Sequence, residues 1–249
     1  MVYDEPVARY DFSWKRSQSV PIVENGEPVV PAHLCPECVV VLRQYYLEGI
    51  DGALPEAYLR EGSFRRLVSA ARCLPTGYRM VLLDGWRPVR LQQGLFNAYL
   101  GRLMDKCPNA DEEELRVMAS KFVALPSNDA ASPSPHLTGG AVDCSIADPD
   151  GVMLDMGSDF DETSERSASR WFEDRLEAGK ALSERERSMM RNRRLLHAVM
   201  RQAGFTNYPD EWWHFDFGNQ NWALLSGAAN AFYGPVTPRF AWRNPDVQD

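Results

Sequence analysis

Ser134-Pro135-His136-Leu137-Thr138-Gly139-Gly140-Ala141-Val142-Asp143-Cys144-Ser145-Ile146 is the stretch on which the fold turns. From Pro126 to Pro135 the chain is polar and broken by prolines, so it reads as a loop that delivers His136. After Gly140 the run Ala141–Ile146 reads as a strand, ended by the turn Asp148-Pro149-Asp150-Gly151. A loop residue and the third residue of the next strand can converge, because Gly139 and Gly140 allow positive φ or a close backbone approach.

Outward from this point, helical and extended patterns mix. Leu59, Phe64, Leu67, Val68 and Ala71 predict a helix over 53–74, broken at Gly77. Tyr78–Leu83 reads as a buried strand, closed by Asp84-Gly85-Trp86-Arg87-Pro88, with Pro88 opening a helix faced by Leu91, Leu95, Phe96, Tyr99 and Leu103. Asp111–Glu114 suits the first turn of a solvated helix. Residues 157–182 lack periodicity and read as a long functional loop with short helices. Ser183 and Glu186 form a capping box for a helix that stops at Gly204. Glu211-Trp212-Trp213-His214-Phe215-Asp216-Phe217 alternates enough to read as a strand, and residues 1–34, with Pro21, Gly26, Pro28 and Pro31, as an extended lead-in. Without a regular βαβ alternation, the expected class is α+β. The expected organisation is one domain over 1–249, with a divergent lead-in at 1–50 and a C-terminal extension at 218–249.

Composition narrows the function. Hydrophobic residues at 44% and charged residues at 25% are those of a globular protein able to bury a core. A net charge of -8 argues against nucleic acid or an anionic membrane as partner. No apolar run approaches a membrane span, and Met1-Val2-Tyr3-Asp4-Glu5-Pro6 has neither a basic start nor an apolar run, so a cytoplasmic protein is expected. Five scattered cysteines read as reduced thiols.

The chemistry concentrates in two places. His136, Asp143 and His214 offer two imidazoles and a carboxylate, and Glu211 adds a second carboxylate three residues before His214. That is the complement of a catalytic zinc: three ligands, an open position and a base. The bland alternatives are a surface-loop histidine with a strand-end aspartate, and a His214 satisfied by backbone. A strand would also point Glu211 and His214 to opposite faces unless a bulge intervened. The same donors match the iron facial triad. The long His136–Asp143 spacing and the presence of a base favour zinc.

Five stretches, in order, resemble the vancomycin-resistance-type D-Ala-D-Ala dipeptidases. They are Asp84–Pro88, Ser134 through Asp143, Met156-Gly157-Ser158-Asp159-Phe160-Asp161, Asn192-Arg193-Arg194-Leu195 leading to Ala203-Gly204-Phe205, and Glu211–His214. The resemblance covers about residues 55–217. It implies an α+β fold with a central, mostly antiparallel sheet flanked by helices, as in zinc D,D-peptidases. It implies one zinc per chain held by His136, Asp143 and His214, with Glu211 as the base. It implies that Arg87 stabilises the oxyanion, that Ser134 and Asp161 bind the ammonium group, and that the partner is a small dipeptide. An anionic Asp161 would select a free amino terminus, since extending the substrate would leave its charge unpaired. A D,D-carboxypeptidase and a non-catalytic zinc-binding relative are the rival readings; Glu211 and Arg87 favour catalysis.

Departures lie mainly near the N-terminus. Family members carry a tyrosine and an aromatic Asn-Phe-x-Gly stretch where Ser17–Pro21 and Glu24-Asn25-Gly26 have no aromatic. Trp86 stands where tyrosine is usual, and Glu162 where an aromatic is common, so a dipeptide other than D-Ala-D-Ala is a rival substrate. Cys35-Pro36-Glu37-Cys38 lacks the second pair of a zinc knuckle and reads as thiols at a helix start. Cys144 and His197 read as packing residues.

Overall fold

A computed structural model describes residues 4–119, 123, 126–127 and 129–238. After a short helix α1 (Trp14–Gln18), the chain forms β1 (Val29–Pro31), β2 (Val39–Val41), α2 (Gln44–Leu47) and β3 (Tyr58–Arg60). Then follow α3 (Glu61–Arg72), β4 (Arg79–Asp84), α4 (Val89–Lys106), α5 (Glu112–Ala119) and β5 (Ala141–Ala147). The rest is α6 (Trp171–Glu177), α7 (Glu184–Gln202), β6 (Thr206–Asn207), β7 (His214–Asp216) and α8 (Gln220–Ser226). The class is α+β, as expected.

The central sheet runs β2-β4-β5-β7-β6. Only the β2–β4 pair is parallel; the other pairings are antiparallel. Strand β5 lies in the middle and is buried at every residue. Around Val142, Cys144 and Ile146, all fully buried, pack Leu67 from α3, Leu196 and Val199 from α7, and Trp213 and Phe215. Cys144 is a core residue, as its alternation with Asp143 requires. No helix among the described residues is long and apolar enough to cross a membrane.

Three expectations shift. The helix expected over 53–74 starts only at Glu61, because Tyr58–Arg60 pair antiparallel with Val29–Pro31. Backbone pairing outcompetes a helix start there. The lead-in over 1–34 is not simply extended, since it holds the helix α1 before β1 pairs with β3. Cys35 and Cys38 stand in a turn that enters β2, not at a helix start. The Ser183 capping box is present with both of its bonds, and α7 gives way to Gly204 at φ 93°.

Two buried arginines fasten distant segments. Arg60, 2% exposed, donates to Thr138 O (2.9 Å), to both oxygens of Glu24 (3.0 Å each), to Glu27 O and to Gly234 O (3.1 Å). Arg193 on α7 donates to Met156 O (2.6 Å), Ala168 O (2.7 Å) and Arg166 O (2.6 Å), so it grips both ends of the loop that carries Asp161. Its neighbours Asn192 and Arg194 hold Asp155 O and Glu173.

Candidate metal centre

The sheet register assembles the centre. Asp84 pairs with Asp143 across a bulge between Leu82 and Asp84, and Asp143 pairs with His214. Three neighbouring strands thus present an acid, an acid and an imidazole at one level. His136 reaches the same level from the 3-10 turn Pro135–Thr138. Both glycines after that turn are needed. Gly139 has φ 70°, and a Cβ on Gly140 would lie 2.3 Å from Phe217 O.

His136, Asp143 and His214 are each at most 6% exposed, and their donor atoms converge. His136 Nε2 lies 3.2 Å from His214 Nδ1, His214 Nδ1 lies 3.1 Å from Asp143 Oδ1, and His136 Nε2 lies 3.4 Å from Asp143 Oδ2. Donors on a tetrahedral zinc with bonds of about 2.0 Å stand about 3.3 Å apart, so the spacing fits.

The outer partners sharpen the fit. His136 Nδ1 lies 2.8 Å from Gly85 O, a pure acceptor, so Nδ1 carries the hydrogen and Nε2 turns a lone pair inward. His214 Nε2 lies 3.1 Å from Asp216 Oδ1, which places the His214 lone pair on Nδ1. Asp216 is fully buried and accepts from Asn219 (2.6 Å) and Asn221 (3.2 Å). Two lone pairs and a carboxylate therefore face one another, an arrangement that only a cation or a proton reconciles. Burial works against the Asp143 charge, and imidazoles that are protonated when no cation is present outweigh it and hold the group below the usual carboxylate range.

Glu211 is not on a strand. His214 N donates to Glu211 O (3.3 Å) in a turn, and Asn207 Nδ2 donates to both Glu211 O (3.0 Å) and His214 O (2.9 Å). The expected strand over 211–217 shrinks to His214–Asp216, and the objection that strand alternation would separate the two side chains disappears. Glu211 Oε2 lies 3.8 Å from His214 Nδ1. Burial pushes its carboxyl up to about 7, with Asp143 and Asp161 adding and His214 and Arg87 opposing.

Arg87 points inward, its side chain only 12% exposed. It donates to Asp84 Oδ2 (2.8 Å), Gln92 Oε1 (3.0 Å), Tyr45 Oη (3.3 Å) and Asp143 Oδ2 (3.3 Å). Burial disfavours the guanidinium charge, but Tyr45, Asp84, Asp143 and Asp161 more than offset it. Asp161 sits at the rim on an exposed residue at φ 59°, with its carboxylate turned in to accept from Tyr45 Oη (2.6 Å). Burial of that carboxyl group raises it to about 6. Ser134 lines the same cleft of about 510 Å³.

The sequence reading missed Tyr45, Asp84 and Asp216. An N-terminal aromatic was expected between residues 17 and 26, whereas Tyr45 on α2 is an aromatic in the cleft, tilted against Phe160 at 5.5 Å, which in turn meets Trp213 at 5.5 Å. An aromatic run just after the Val39–Val41 strand was the available signal. Trp14 from α1 also reaches the cleft, beside Tyr208 (5.4 Å). Trp86, at the position where tyrosine was expected, donates to Val236 O (2.7 Å) and is a packing residue.

The chain is 29% identical to a D-alanyl-D-alanine dipeptidase of Synechocystis sp., over 95% of this chain and 100% of that one. A D-alanyl-D-alanine dipeptidase of Escherichia coli is 29% identical over 65% of this chain and 67% of its own. Among solved structures, VanYB in complex with D-Alanine-D-Alanine is 17% identical, with a TM-score of 0.37 over 69% of this chain and 79% of that one. A D-Ala-D-Ala dipeptidase family model matches residues 61–232, well over half of the sequence, and the chain belongs to that family.

Proposed function

We propose that the chain is a zinc dipeptidase that splits D-Ala-D-Ala, with His136, Asp143 and His214 as the zinc ligands. The observation that carries this reading is the convergence of three buried donors whose lone pairs demand a cation, with a protonatable carboxyl group 3.8 Å away. The full-length relative named as a D-alanyl-D-alanine dipeptidase supports the substrate. When bound, zinc polarises the scissile carbonyl and brings the pKa of water from about 16 to about 7.

The chain's own groups do the rest. Glu211 takes the proton of the attacking water and returns it to the leaving amine, a task for which a carboxyl near neutrality is suited. Arg87 supplies a fixed positive charge to the oxyanion, and Asp84, Gln92 and Tyr45 hold it in place. Asp161 and Ser134 receive the free ammonium group. Tyr45 keeps the Asp161 carboxylate facing inward. The reading also places the substrate among peptidoglycan-derived dipeptides and the enzyme in the cytoplasm.

One observation favours a second reading of side-chain preference. The cleft continues along α4 past Leu95, Tyr99 and Arg102, which leaves room for a larger residue than alanine. The test is amino-acid release by zinc-loaded protein from D-Ala-D-Ala, beside N-acetyl-D-Ala-D-Ala and dipeptides of mixed chirality and larger side chains. Cleavage of free D-Ala-D-Ala alone is the expected result. Cleavage elsewhere in the panel moves the substrate and keeps the chemistry, and inactivity on every substrate with zinc bound defeats the reading.

A further inference from the structure

The second place where metal-binding groups converge lies in the turn before β2. Cys38 N (3.0 Å) and Val39 N (2.9 Å) both donate to Cys35 O, which folds Cys35, Glu37 and Cys38 to one side. Their two sulfurs and a carboxylate oxygen all lie within 4.8 Å of one another. We propose that these three residues form a second metal site, for one thiophilic divalent cation such as zinc or cadmium.

The scaffold is rigid on one side and open on the other. Cys35 is 7% exposed and packs in the main core with Ala32 and Val39. Met80 N donates to Cys38 O (3.0 Å), which ties the turn to β4. Glu37 is exposed, so an ion enters from solvent and keeps a water ligand there. Two thiolates and one carboxylate with a solvent position suit borderline-soft zinc and softer cadmium better than magnesium or calcium.

A Cys-x-x-Cys pair has another common use, a redox-active dithiol, and the surroundings argue against it. Reactive thiols sit beside cations or helix N-termini, which favour the thiolate. Here Cys35 Sγ donates to Glu37 Oε1 (3.0 Å), so the charged group against the thiol is an anion and not a cation. A cation reverses this relation, because Glu37 then becomes a ligand. Binding replaces the Cys35 and Cys38 thiol protons with one dication and releases two protons to solvent. The strand that the turn opens leads within a few residues to Tyr45, so an ion here would brace the approach to the cleft from outside it.

The test uses the full chain, thiols reduced and counted, with one equivalent of zinc already bound, titrated with cadmium. The expected result is a second equivalent with an ultraviolet thiolate-to-cadmium charge-transfer band. C38S is expected to lose that equivalent and the band while keeping the first equivalent and dipeptide hydrolysis. E37Q is expected to keep the band and bind more weakly. A reduced wild-type protein that takes one equivalent and shows no band overturns the site. So does a second equivalent that survives in C38S.

Discussion

The metal-ligand cluster and the Asp161 rim line one cleft but are built on opposite plans. His136, Asp143 and His214 are buried, and each histidine has its outer nitrogen held by Gly85 O or Asp216. Two of the three stand on paired strands in fixed register. Asp161 stands on a loop at positive φ, exposed as a residue, and Tyr45 Oη is the partner that holds its carboxylate inward. Arg193 reaches only the ends of that loop. The proposed ligands, which must not move by a fraction of an ångström, lie on the sheet or in the turn braced against it; the proposed substrate-reading group lies on a loop, where small changes are tolerated.

That contrast can be broken at either end. The largest effect is expected from His214→Ala, which removes a proposed ligand and leaves Asp216 without its imidazole partner. Bound zinc by elemental analysis and hydrolysis should both vanish. Glu211→Ala should keep the zinc and lower kcat by about 100- to 10,000-fold. Near-normal turnover in that variant would refute its assigned proton transfers.

At the rim, Asp161→Asn should leave zinc content unchanged and raise KM for the free dipeptide by about 10- to 150-fold, the loss of one charged hydrogen bond. The same carboxyl sets a pH limit. It must be anionic to hold an ammonium group and titrates at about 6, so kcat/KM for the free dipeptide should fall as pH drops below that value. Glu211, the proposed base, lies higher at about 7 and gives an acid limb of its own, so Asp161→Asn should keep that single-proton limb and lose the extra steepening below about 6; an unchanged steepening would assign it elsewhere. A smaller effect is expected from Asp216→Asn, where zinc affinity should weaken by about 10- to 100-fold with the ligands intact. A competition titration with a chelator reads it directly.

What was legible in the sequence follows the range of the interactions involved. Helix α7 could be bounded at both ends because Ser183, Glu186 and Gly204 act on backbone within a few residues. The Gly139-Gly140 turn was legible for the same reason. Tyr45 was not, since its partners Asp161 and Arg87 lie 116 and 42 positions away and only the folded sheet brings them near. The Glu211 turn was missed because Trp212 and Trp213 suit a strand, and the bonds from Asn207 that bend the backbone there are tertiary in all but name.

Arg60 carries a consequence for where this protein can be cut. The family match begins at residue 61 and ends at 232, whereas Arg60 bonds Glu24 and Glu27 before that stretch and Gly234 after it. Its contact with Thr138 O places the same guanidinium behind the turn that carries His136. A fragment trimmed to 61–232 loses this arginine together with Glu24, Glu27 and Gly234, leaves Thr138 O without it, and loses strand β2. We expect that fragment to show no cooperative thermal transition by circular dichroism, while one spanning 4–238 melts sharply. On that expectation a buried charge, and not the limits of family likeness, draws the working boundary.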